Sequence, residues 1–266
     1  MRVANRARAR LGFGLALFAT ATVFTVGATP LPSFSPTIDT AMRAVQKVAH
    51  VPLVAPTWTP TVGPDDIARR GFLTVETQLT ATSYILSLTY TRVPVPVNAQ
   101  QWWRYDLTPK EQSYAGLSVA QYPTHEAAEV AIRGEAGVRF FTEPTHPHHV
   151  VLLPGVVAAS FVQPSTEDRL LVWTQGRWAV YLSATPDTPF SHILQVARAA
   201  TQKAPSCPGR AGILTINLAG GSNWQAALWT IGRMAYGVGS RYGINPIYHL
   251  MPSLRPWSAP LGPQPE

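Results

Sequence analysis

Residues 173–179 read Trp-Thr-Gln-Gly-Arg-Trp-Ala, and 56 residues later 229–235 read Trp-Thr-Ile-Gly-Arg-Met-Ala, with five positions identical. The likeness extends to Gly155-Val156-Val157 and Gly212-Ile213-Leu214 upstream, and to Ser191-His192-Ile193 and Tyr248-His249-Leu250 downstream. Self-similarity on this scale implies one supersecondary unit used twice, each copy covering apolar surface of the other. Within each copy the pattern predicts a strand after the glycine, a hairpin around the Trp-Thr-x-Gly-Arg string and a terminal segment, helical over 189–202 in the first copy. A type I′ turn would need positive φ at Ile231, which β-branching resists. A type I turn with Gly176 or Gly232 in the left-handed position, forming a G1 bulge, fits both copies. Runs such as Leu170-Leu171-Val172-Trp173 are apolar on both parities, so these strands should be covered on both faces. The fold class that follows is α+β: an antiparallel sheet built from duplicated ββ(β)α units, with helices packed on one face and a further layer or partner on the other.

The rest of the chain divides by composition. Arg2, Arg6, Arg8 and Arg10 precede an uncharged run from Leu11 to Val26, the layout of a signal peptide cleaved near Ala28 or, failing cleavage, of an N-terminal anchor. Residues 29–50 read as a tether and a short amphipathic helix over 38–50, with Asp39 or Thr40 as its cap. Residues 51–149 form an N-terminal α+β part: strands over 72–79 and 84–92, a strand over 116–122, then a helix capped by Thr124 and ending near Gly134 or Gly137. Residues 150–257 hold the duplicated part, and 258–266 a flexible tail. Without residues 1–28 the chain loses four arginines and no acid, leaving 17 basic residues against 14 acidic ones. A balance of +3 with no basic cluster argues against a nucleic-acid partner. Location is extracytoplasmic, and the membrane is a partner only through an uncleaved N-terminal segment.

Charged residues make up only 13% of the chain, against roughly 25% in ordinary soluble domains. Few of them form a recognisable chemical constellation. His146, His148 and His149 stand in Glu-Pro-Thr-His-Pro-His-His without a full ligand set, so they read as a proline-broken turn entering a strand at Val150 rather than as a metal centre. Neither metal nor cofactor is implied. Trp173 and Trp229 recur beside the hairpin turns and are assigned to the core; Trp102 and Trp103, in a polar stretch, are the better candidates for a binding surface, to which His146, His148 and His149 are added. No Gly-x-Ser-x-Gly or Ser-x-x-Lys motif occurs, and Cys207 has no nearby histidine. Glu167-Asp168 and Asp65-Asp66 read as solvated loops, and Gly220-Gly221 lacks the helix that would make it a phosphate cradle.

The stretch Ala55-Pro56-Thr57-Trp58-Thr59-Pro60, with Arg70-Gly71-Phe72-Leu73 and Val95-Pro96-Val97-Asn98, resembles a group of exported bacterial proteins of unknown function, of Gram-positive type. Their pattern is a Pro-Thr-Trp-Leu-Pro element followed by Trp-x-x-Gly-x-x-Tyr hairpins. The resemblance implies no activity and carries over no catalytic residue. The expectation is a non-enzymatic exported domain that binds or senses an envelope protein or cell-wall polymer. The alternatives are a wall-glycan-active enzyme with an unrecognised acid, and a structural module that assembles through its sheet edge.

Overall fold

The structure is a computed structural model that describes residues 33–59, 72–91, 93–99, 115–136, 147–163, 167–218, 224–241 and 243–258. Residues 1–28, Asp65-Asp66, Trp102, Trp103, His146 and Gly220-Gly221 lie outside the described residues.

Helix α1 (Pro36–Gln46) starts three residues before the predicted cap. Ser35 accepts from the Ile38 N–H, and Pro36 occupies the first turn, where a missing N–H costs nothing. Ile38, Ala41, Met42 and Val45 form its buried stripe. A short β1 (Val54–Pro56) pairs far along the chain with β12 (Leu254–Pro256).

Ten strands make one sheet: β2 (Phe72–Thr80), β3 (Ser83–Thr91), β4 (Ala115–Gln121), β5 (His148–Leu153), β6 (Val156–Val162), β7 (Arg169–Gln175), β8 (Trp178–Ala184), β9 (Gly212–Asn217), β10 (Gln225–Ile231) and β11 (Met234–Ser240). Their spatial order is β2-β3-β4-β11-β10-β9-β8-β7-β6-β5. All pairs are antiparallel except β8 with β9. That parallel step needs a crossover, and α3 (Phe190–Lys203) supplies it. The units β6-β7-β8-α3 and β9-β10-β11-α4, with α4 spanning Asn245–Ser253, therefore lie side by side in one direction. Pairing of β4 with β11 makes residues 51–149 and 150–257 share one sheet.

The two Trp-Thr-x-Gly-Arg strings occupy equivalent hairpins, and their turns correct one expectation. Gln175 pairs with Trp178 and Ile231 with Met234, so only Gly-Arg lies in each turn. Gly176 and Gly232 both have φ 57° while the following arginines do not have positive φ. This is a two-residue turn with glycine first, of II′ type, whose twist matches the flanking strands without a G1 bulge. Ile231 is a strand residue and is never asked to turn.

One sheet face packs against α1, α3 and α4, with Trp173, Trp178 and Trp229 among its buried residues. Trp229 stacks on Tyr236 at 5.7 Å and meets Trp178 edge-on at 6.4 Å. The fourth helix, α2 (His125–Glu135), capped by Thr124 as predicted, lies on the opposite face. There Ala128 and Ile132 cover Ile213, Ala226, Leu228 and Ala235. Helices thus cover both faces, and α2 is the further layer. It is only one helix wide, so β8 is not covered on both sides: Ala179 and Tyr181 stay half-buried beside it.

Candidate functional site

The half-covered second face holds the candidate site. Three clefts follow one another along α2, opposite the free side of β8 and β9. The middle one, about 200 Å³, is walled by Glu129 and Arg133 of α2 and floored by Ala179, Tyr181 and Ile213. It shares Tyr181 with a cleft of about 190 Å³ at the helix C-terminus, where Glu135, Asn217 and Trp224 converge. It shares Thr230 with a wider cleft of about 590 Å³ at the hairpin turns, lined by His125, Arg177 and Arg210. A seven-residue β8 sets the groove length at roughly 23 Å.

Trp224 is 39% exposed, an uncommon state for so large a ring. Its placement follows from two paired glycines, Gly116 of β4 and Gly239 of β11. A Cβ on Gly239 would overlap the indole, and Gly116 has the ring 3.8 Å from where its own Cβ would stand. The glycines let the ring lie down on the sheet, leaving part of it to solvent at the groove mouth. Glu135 is exposed as a residue, yet its carboxylate reaches back over Gly237. Desolvation there pushes its pKa up. Ser183 donates to Asn217 Oδ1 at 3.3 Å on the same floor.

At the other end, His125 Nδ1 lies 2.7 Å from the Gly232 carbonyl and so donates to it, and Nε2 lies 3.2 Å from Glu129. Arg177 Nη1 donates to Gly209 O at 3.3 Å. The loop carrying Gly209 is fixed in turn: Trp178 Nε1 donates to Pro205 O at 2.7 Å, and Gly212 N to Arg177 O at 3.0 Å. Cys207 is buried beneath this loop, and burial raises its thiol pKa, against a smaller lowering by a backbone hydrogen bond and by Arg177. A buried, protonated thiol is a poor nucleophile.

Of the residues singled out from sequence, His148 and His149 are exposed on β5, the last strand of the sheet. They lie inside the strand, two residues before the predicted start at Val150. No group of three metal-ligating side chains occurs among the described residues. His149 pairs with Ala159, Ala159 with Val172 and Val172 with Tyr181, so His149 shares one cross-sheet row and one face with the groove's tyrosine, three strands away. Sequence reasoning passed over Tyr181, Trp224, Glu135, Arg177 and Arg210 as site residues. The available signal was the glycine pair Gly237 and Gly239 in an otherwise apolar strand, a mark of close approach by another group.

Neither a protein-family model, nor a curated protein, nor a solved structure matches the chain, so its own geometry has to carry the functional reading.

Proposed function

We propose that the chain is an extracytoplasmic, non-enzymatic binding domain that holds a linear cell-envelope polymer in the groove along α2. The observation that carries this is the series of three clefts joined through Tyr181 and Thr230, with half-exposed aromatic surface at one end and polar side chains on the walls. Small rigid aromatic faces combined with a few directed polar groups suit a ligand with alternating apolar and hydroxylated surface, as in a glycan. The arginine-led apolar N-terminus and the resemblance to exported bacterial proteins support the location. Co-sedimentation of the full chain with purified cell-wall polymer tests the reading: Trp224→Ala and Tyr181→Ala should each weaken retention several-fold while the protein stays folded. Retention unchanged in both variants refutes it.

The raised pKa of Glu135 beside Trp224 favours a second reading, a wall-glycan hydrolase with Glu135 as proton donor. Glycoside hydrolysis ordinarily needs a second carboxylate at about 5–9.5 Å. Among the described residues that line the groove the other carboxylate is Glu129, which is engaged with His125. Release of reducing ends from the polymer, lost in Glu135→Gln, would establish turnover over simple binding.

A further inference from the structure

We infer that the wide cleft at the hairpin end of the groove is a subsite for an anionic group, a phosphate or carboxylate carried by the bound polymer. The inference rests on the groove reading and deepens it by naming the ligand's charge. Arg177 and Arg233 hold the same position in the turns of the duplicated hairpins, yet they are used differently. Gln121, with its amide oxygen turned toward Arg233, accepts from Nε at 3.2 Å and Nη2 at 2.9 Å, so this guanidinium is committed to closing β4 against β11. Arg177 commits one N–H to Gly209 O and keeps four. Arg210, one residue beyond Gly209, has no side-chain partner among the described residues. The two exposed guanidiniums face one cleft of about 590 Å³.

No carboxylate among the described residues lines that cleft. The nearest acids on α2 are otherwise engaged: Glu129 with His125, and Glu126 with its own backbone N–H and the Thr124 hydroxyl, which together hold its carboxylate below the ordinary range. Those same bonds occupy the first turn of the helix, so the positive character of the cleft comes from arginine side chains. Arg177 is pre-set by the Gly209 carbonyl and by a loop tied to Trp178, which lowers the ordering cost of a bidentate grip on an oxyanion. Ile231, 49% exposed, offers an apolar wall for the polymer backbone beside its charge.

The test compares one polymer in two charge states. Binding of the full chain to an oligogalacturonate and to its methyl ester is measured by titration calorimetry at low and high salt, with polyglycerol phosphate as a third ligand. The acidic chain should bind at least about tenfold tighter than its ester, the difference shrinking with salt. Arg177→Gln with Arg210→Gln should abolish that preference, bringing the affinities for acid and ester together, whereas the distant Arg255→Gln should keep the wild-type preference. Both substituted side chains are exposed, and matching melting curves verify that the fold is kept. Tighter binding of polyglycerol phosphate than of oligogalacturonate identifies phosphate as the preferred source, and the reverse order identifies carboxylate. Equal affinity for acid and ester in the wild type, or a preference that survives in the double variant, overturns the anionic subsite while leaving the groove standing. Failure of all three polymers to bind overturns the subsite, and the groove reading falls with it when the chain also fails to co-sediment with cell-wall polymer.

Discussion

Trp173 and Trp178 face each other's strands in one hairpin, are 3% and 2% exposed, and differ in one respect. Trp178 Nε1 donates to Pro205 O at 2.7 Å, whereas Trp173 Nε1 is buried with no hydrogen-bond partner among the described residues. Replacing either by phenylalanine removes similar volume from the same core, a loss of about 1 kcal/mol each on the scale of large-to-small substitutions. Trp178→Phe also forfeits a hydrogen bond worth about 1 kcal/mol net and leaves the Pro205 carbonyl short of a donor, about 1 kcal/mol more. Its total is about 3 kcal/mol, or roughly 6–12 °C in Tm for a domain of this size. Trp173→Phe instead removes a donor whose desolvation was never compensated, returning about 1 kcal/mol or more. The two terms nearly cancel, and its Tm should lie within about 4 °C of wild type. Calorimetric melts of both variants, confirmed by urea unfolding at 25 °C, measure the difference. Equal losses in the two variants would refute the reasoning, because burial alone would then set the cost and the unpaired N–H would count for nothing.

Gly232→Val places a β-branched residue at φ 57° in otherwise open space, so backbone strain alone should cost about 1–3 kcal/mol, read by urea unfolding. Tyr84, fully buried, donates to Val54 O at 2.7 Å and accepts from Val54 N at 2.8 Å, pinning the β1–β12 ribbon; Tyr84→Phe should cost about 1–3 kcal/mol by the same assay. Because the Glu135 pKa is raised on folding, its contribution to stability is fully present below the unfolded carboxylate pKa and falls as pH rises through the folded value. Glu135→Gln should therefore raise Tm at pH 7 relative to wild type, and the gain should vanish near pH 4.

The chain's local chemistry was legible before any coordinates. Turn glycines, alternating strands and the Thr124 cap are decided within a few residues, which is why β2, β3, β4 and that cap fall within a residue or two of their predicted places, whereas the first helix is capped by Ser35 instead of Asp39 or Thr40. The repeated string likewise announced two hairpins with glycine at positive φ and a tryptophan buried beside each. The exact turn was harder to read, since one residue of strand register separates a G1 bulge from a II′ turn, and register is set by pairing across strands.

What tertiary structure alone decided is which surfaces stay open. No sequence period says that α2 crosses to the face opposite α1, α3 and α4; it does so because three helices already cover the other side and Ile213, Ala226, Leu228 and Ala235 need cover. That choice leaves Tyr181 beside a wall instead of beneath one. Equally, two arginines at identical repeat positions cannot be told apart in sequence. Gln121 reaches one and a loop carbonyl the other because β11 borders β4 while β8 borders a crossover. Local propensity specifies elements within a few residues, but the groove is made of side chains from four separate stretches whose proximity exists only after the sheet has assembled.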